Sequence, residues 1–233
     1  MAGTHVTIAV ADGGTFDSYV AAPAAGKGAG VVIVSTISGA DSDMTHYADT
    51  LTAEGFVVSA PDMFWRDADP GPLPWTAEGR KRAFARNDRY DLEQGMRDLS
   101  DVIADLKKHP RCNGKIAVMG FCFGSPFALL AAARYGTDAG ISFHGSHVEK
   151  YLEEAGRVRC PLSFHYGDQD EVAPMAAIER IREAFSRLPD AKVFVYPGAG
   201  HGFMTMTRGP GYMESIAHSA WARALEVLKR LQV

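Results

Sequence analysis

The sequence predicts an α/β protein: a mostly parallel central sheet, helices on both faces, and an N-terminal antiparallel hairpin. Three observations carry this prediction. The chain opens with two alternating segments around a glycine turn. It continues with a β-branched run that has no polar alternation. From there, short apolar segments alternate with segments of helical period. With 233 residues, the chain suits a single domain over 1–233 and is long enough to bury a substantial core.

The elements follow in order. His5 to Val10 and Thr15 to Ala21 alternate around Asp12-Gly13-Gly14 and read as the hairpin. "GVVIVST", Gly30 to Thr36, reads as a strand buried on both faces. Asp43 to Glu54 has helical spacing, and Phe56 to Ala60 reads as a strand. "DADPGPLPW", Asp67 to Trp75, is a loop by its prolines. Thr76 to His109 is a long polar helical region with one expected break. Ile116 to Met119 is a strand, and Phe127 to Arg134 lies in a helix. Ala139 to Phe143 and Leu162 to Tyr166 are strands. Met175 to Leu188 is a helix, Lys192 to Tyr196 a strand, and Tyr212 to Leu231 a closing helix.

Composition excludes several function classes. Apolar residues make up 46% and charged residues 22%, with a formal net charge of −4. A nucleic-acid partner usually needs a clustered basic surface. The richest basic stretch, "GRKRAFARNDR" from Gly79 to Arg89, reads for most of its cations as a solvated helix face. No apolar run reaches the length of a membrane span. The N-terminus lacks a basic region before a long apolar core, so no secretory signal is expected. Cys112, Cys122 and Cys160 form an odd set, which argues against a disulfide framework and for free thiols in the cytoplasm. No metal and no cofactor are expected. The expected partner is a small molecule, with the protein a monomer or small homo-oligomer.

Three loops at predicted strand ends carry chemistry. Gly120-Phe121-Cys122-Phe123-Gly124 has the Gly-x-nucleophile-x-Gly spacing of a nucleophile elbow, with cysteine as the nucleophile. Flanking glycines let strand and helix approach closely. The following helix N-terminus supplies N–H groups and a positive dipole end, which favour thiolate. "HYGDQDEVAP", His165 to Pro174, offers Asp168, Asp170 and Glu171. "YPGAGHGF", Tyr196 to Phe203, holds His201 among glycines. The chain order nucleophile, acid, histidine is that of the α/β-hydrolases. In that arrangement His201 exchanges protons with the thiol and the leaving oxygen, and the acid orients the imidazole.

Through nearly its whole length the sequence resembles the dienelactone hydrolases (carboxymethylenebutenolidases). The shared segments are "VIVSTISG", "APDMF", "DLEQGMRDL", "GFCFG", "GDQDEVAP" and "GAGHGF". The resemblance implies an α/β-hydrolase fold and a Cys122–Asp170–His201 triad acting on small esters or lactones through an acyl-enzyme. It selects Asp170 over Asp168. It implies oxyanion-hole donors in the backbone N–H groups of Ile37 and Phe123. It also implies that Arg80 receives a substrate carboxylate. Two positions depart from the family. Thr36 stands where the best-known members carry a glutamate that contacts the nucleophile. Thr205 stands where a second carboxylate-binding arginine falls, with Arg208 nearby.

Met204, Met206, Phe64, Trp65 and Phe121 read mainly as core, with a more apolar substrate pocket as the alternative. A broader carboxylesterase or thioesterase of the same fold is the nearest alternative. A thiol redox protein or a binding protein without turnover is disfavoured, since no C-x-x-C is present and no triad member is missing.

Overall fold

The computed structural model describes residues 3–232. Its eight strands run in the order β1-β2-β4-β3-β5-β6-β7-β8. The chain falls into two compact units, the first ending at Ile116 and the second beginning at Ala117. Strand β5 (Cys112–Phe121) begins in the first unit and ends in the second.

In the first unit, β1 (Thr4–Ala9) and β2 (Thr15–Ala21) pair antiparallel, from Thr4 opposite Val20 to Ala9 opposite Thr15. The Asp12-Gly13-Gly14 turn closes this hairpin because both glycines adopt positive φ, 91° and 115°. Strand β2 also pairs antiparallel with β4 (Val57–Pro61), which runs parallel to β3 (Gly28–Val34). Every residue of β3 is buried, as its β-branched run predicts. Helix α1 (Ser42–Ala53) is capped by the Asp41 carboxylate, which accepts from the N–H groups of Asp43 and Met44. The predicted polar helical region divides once, into α2 (Ala77–Asp88) and α3 (Leu92–Lys108). The divide falls at Asp91, whose side chain caps α3 by accepting from Gln94 N–H.

One residue of the basic stretch departs from the solvated reading. Arg80, Lys81, Arg82 and Arg89 are exposed, but Arg86 is fully buried. Its Nε and Nη2 donate to the Ile37 carbonyl at 3.1 and 2.8 Å, and its Nη1 donates to the Gly71 and Asp69 carbonyls at 2.7 and 3.1 Å. The guanidinium lies 4.0 Å over the Phe64 ring. A buried cation is tolerated only when its donors are satisfied, and Arg86 meets this with backbone carbonyls. It thereby ties the turn after β3 to the Pro-rich loop.

In the second unit, β5 from Ala117 onward, β6 (Ala139–Phe143), β7 (Leu162–Gly167) and β8 (Ala191–Tyr196) are successive parallel neighbours. Helices α4 (Ser125–Arg134), α5 (Met175–Ala184) and α6 (Glu214–Lys229) belong to this unit. Phe164, Tyr166, Ile178, Ile181 and Phe185 pack in one buried cluster with Leu129 of α4. Burying each large apolar side chain contributes about 1.5–3 kcal/mol. Residues Val148–Arg157 form two short 3-10 turns kinked at Tyr151. The segment is anchored by Glu154, whose carboxylate accepts from Arg134 Nε at 2.9 Å. Among the described residues no helix is long and apolar enough to cross a membrane.

Candidate active site

The elbow is built by local sterics. Strand β5 ends at Phe121, and Cys122–Gly124 form a single 3-10 turn that leads into α4. Cys122 adopts φ 52°, in the left-handed region. A Cβ on Gly120 would lie 2.0 Å from the Gly124 carbonyl oxygen, so only glycine lets strand and helix pass this closely. Ser125 Oγ donates to the Gly120 carbonyl at 3.2 Å and fastens the turn. The thiol therefore sits at the positive end of α4.

The other two loops hold each other. Gln169 N–H donates to the Ala199 carbonyl at 2.9 Å, and Asp168 Oδ1 accepts from Gly198 N–H at 2.7 Å. A Cβ on Gly167 would lie 1.9 Å from that same Ala199 oxygen. Gly198 and Gly202 take positive φ, 77° and 85°, which turns His201 back toward the elbow. Asp170 Oδ1 accepts from Val172 and Ala173 N–H at 2.8 and 2.9 Å. The carboxylate orientation is thus fixed before it meets the imidazole.

The three side chains meet. His201 Nε2 lies 3.1 Å from Cys122 Sγ, and its Nδ1 lies 3.0 and 2.9 Å from the two Asp170 oxygens. The Asp170 side chain has no exposure, and that of His201 is 14% exposed. Burial alone would push the Cys122 thiol up. The charge and hydrogen bond of His201, the charge of Arg208 and the Ser146 hydroxyl outweigh it and bring the thiol down to about 6. Burial alone would lower His201. The Cys122 charge, the hydrogen bonds to Asp170 and Cys122, and the Asp170 charge raise it to about 9. The two shifts agree in sense: each describes a thiolate–imidazolium pair.

Asp168, the rejected acid, faces Gly198 and serves the loop. Thr36 is buried, and its Oγ1 accepts from Ser38 N–H at 3.1 Å. Thr205 is also buried, and its Oγ1 donates to the Gly202 carbonyl at 2.6 Å. Both threonine hydroxyls are therefore engaged by backbone turns. Phe123 is buried, with its ring centroid 5.4 Å from that of Phe127. Arg208 is half-buried and close enough to lower the Cys122 thiol. In the first unit, Ile37 is buried and held through its carbonyl by Arg86. Arg80 is exposed beside Trp75, 5.6 Å from the ring centroid. Phe64, Phe121 and Met204 are core, while Trp65 and Met206 are half-buried.

Two residues at this site escape the sequence reading. Ser146 N–H donates to the Cys122 carbonyl at 3.1 Å, and its Oγ lies 3.3 Å from Cys122 Sγ. His144, fully buried with φ 38°, packs edge-on to His201 at 5.0 Å between centroids. Both lie just past β6 in "FHGS", and a polar pair following a predicted buried strand was the available signal.

Residues 16–232 match the model of the dienelactone hydrolase family, a span that enters both units. A carboxymethylenebutenolidase of Pseudomonas putida is 32% identical over 228 residues, 97% of this chain and 96% of that protein. A second, from Pseudomonas sp. (strain P51), is 34% identical over 222 residues, 94% and 92% of the two chains. Among solved structures, a dienelactone hydrolase-like promiscuous phosphotriesterase from metagenomic libraries superposes with a TM-score of 0.80 at 22% identity. That match covers 100% of each chain, and it speaks for the fold alone.

Proposed function

This chain belongs to the dienelactone hydrolase family, and we propose that it hydrolyses small esters or lactones through an acyl-enzyme on Cys122. The observation that carries this reading is the buried relay in which one imidazole bridges Asp170 and Cys122 Sγ. The Cys122 thiolate attacks the carbonyl carbon, and the carbonyl π pair moves to oxygen. Phe123 N–H donates to that oxyanion. Collapse of the adduct expels the alkoxide, which takes the Nε2 proton of His201. Water then gives a proton to neutral His201 and attacks the thioester. The thiolate leaves, and the acid product is released. Asp170 holds the imidazole in place and stabilises its charged form.

For substrate class, the two engaged threonines matter. Thr36 supplies no charge where the resembled family carries a glutamate, so the thiolate is available without a bound carboxylate. Recognition of a substrate carboxylate rests on Arg80 and Arg208. Neutral esters and lactones are therefore accepted alongside carboxylated ones, which includes the broader carboxylesterase range. The three unbridged cysteines support work in the reducing cytoplasm.

The test is a hydrolysis panel containing a dienelactone, its neutral methyl ester, short aryl esters and thioesters. It is run on wild type and Cys122→Ala, with intact mass taken during turnover. Activity lost in Cys122→Ala, with an acyl adduct on the wild-type Cys122 peptide, is the expected result. Undiminished hydrolysis by Cys122→Ala refutes the nucleophile. Turnover of the free acid alone refutes the substrate range.

A further inference from the structure

His144 has no role in the hydrolysis above, yet its setting is costly. It is fully buried, and neither ring nitrogen has a hydrogen-bond partner among the described residues. Buried polar atoms without partners are rare, and each needs an explanation. Phe121 and Phe203 flank the ring, with centroids at 6.2 and 5.6 Å, and the His201 ring stands edge-on to it. One ligating atom each from Cys122, His144 and His201 lies within 4.8 Å of the other two.

We propose that Cys122 Sγ, His201 Nε2 and a ring nitrogen of His144 form a three-ligand site for a borderline-soft divalent cation such as zinc, whose binding reversibly silences the nucleophile. The donor set suits that ion: one thiolate and two imidazoles. Zinc–sulfur and zinc–nitrogen bonds of about 2.3 and 2.0–2.1 Å put tetrahedral ligand atoms about 3.3–3.6 Å apart. The Sγ–Nε2 pair already stands at 3.1 Å, so closure falls mainly to His144. His201 Nδ1 is held by Asp170, the carboxylate–histidine support that metal-ligating histidines use. On binding, the cation replaces the proton shared by Sγ and Nε2, which leaves to solvent. The sulfur lone pair is then committed to the metal, and attack on a carbonyl stops. Arg208 opposes the ion through its charge, so the site takes a metal with real affinity for thiolate and rejects magnesium or calcium.

The test does not depend on turnover and therefore stands apart from the hydrolase reading. Intact protein is titrated with cadmium, whose bond to thiolate gives an ultraviolet charge-transfer band, and then with zinc in competition. Iodoacetamide labelling of Cys122 and Cys160 is mapped by mass in parallel. One equivalent should produce the band and protect Cys122, leave Cys160 labelling unchanged, and be reversed by a chelator. His144→Phe keeps a ring in the same space and should weaken binding at least about tenfold, and His144→Gln serves if that variant does not fold. Equal affinity in a folded His144 variant overturns the proposal. So does the absence of a band in wild type, or its persistence in Cys122→Ala.

Discussion

Cys122 and Cys160 lie in the same unit and differ in reactivity for reasons that burial does not explain. Cys122 is the more buried of the two. Burial raises the Cys160 thiol, the Asp138 charge adds to it, and together they put it at about 11. Burial raises Cys122 as well, yet its thiol stands at about 6. The difference lies in what the elbow faces: an imidazolium held by a carboxylate, an arginine and a hydroxyl. A desolvated thiol is inert by default, and placed charge reverses the default.

Removing the largest of those charges is the strongest way to break the contrast. His201→Ala should lower kcat by at least about 10^3-fold, because proton donor and acceptor are lost together, and should move the Cys122 thiol up toward Cys160. The sign of the pH dependence follows from the two shifts. Cys122 is depressed from 9.0, so its ionised form is lost as pH falls through about 6. His201 is raised from 6.5, so its charged form is lost as pH rises through about 9. Wild-type kcat/KM should therefore be flat between these limits, and a measured profile peaking well above 9 would contradict the ion pair.

Direct competition between the two thiols is a milder test. At neutral pH the thiolate fraction favours Cys122 by about 10^4. The lower intrinsic nucleophilicity of a low-pKa thiolate returns about 10^2 to 10^2.5 of that. A small neutral disulfide should thus modify Cys122 about 30- to 100-fold faster than Cys160. Equal rates, read by peptide mass mapping, would remove the elbow's distinction.

The smallest expected effect belongs to Ser146. Ser146→Ala removes one hydroxyl from the thiolate and should raise the apparent Cys122 pKa by up to about one unit, given about 1.4 kcal/mol per unit. Turnover at neutral pH should change by less than about threefold, since about half or more of the thiol remains ionised. A loss comparable to that of His201→Ala would mean that Ser146 takes part in proton transfer.

Where the sequence is periodic, it was readable. The β3 run and the β1–β2 alternation fall in the observed strands within two residues, and Ala139–Phe143 matches β6 at both ends. The three loops that bring Cys122, Asp170 and His201 together stand out for a different reason: chain order and strand-end position restrict which residues can meet, and the family resemblance points to Asp170 among the acids. Asp168 and Asp170 could not be separated by spacing, because loop residues have no period. What separates them is that Asp170 is oriented by Val172 and Ala173 N–H, while Asp168 is taken by Gly198. Arg86 was hidden for the opposite reason. It stands in a stretch whose composition reads as a solvated face, and its burial depends on carbonyls from Ile37, Asp69 and Gly71, distant in sequence. The Val148–Arg157 segment gave no signal because short 3-10 turns satisfy neither the helical nor the strand period.

The left-handed φ of Cys122 sets the demands of turnover against those of durability. A side chain in that region costs about 1–3 kcal/mol unless the residue is glycine. At this position the most stable fold and the working enzyme require different residues. Cys122→Gly should raise the melting temperature while ending the chemistry. Selection for robustness alone would erode this position early, so persistence of the cysteine in a lineage would record continued use of the reaction.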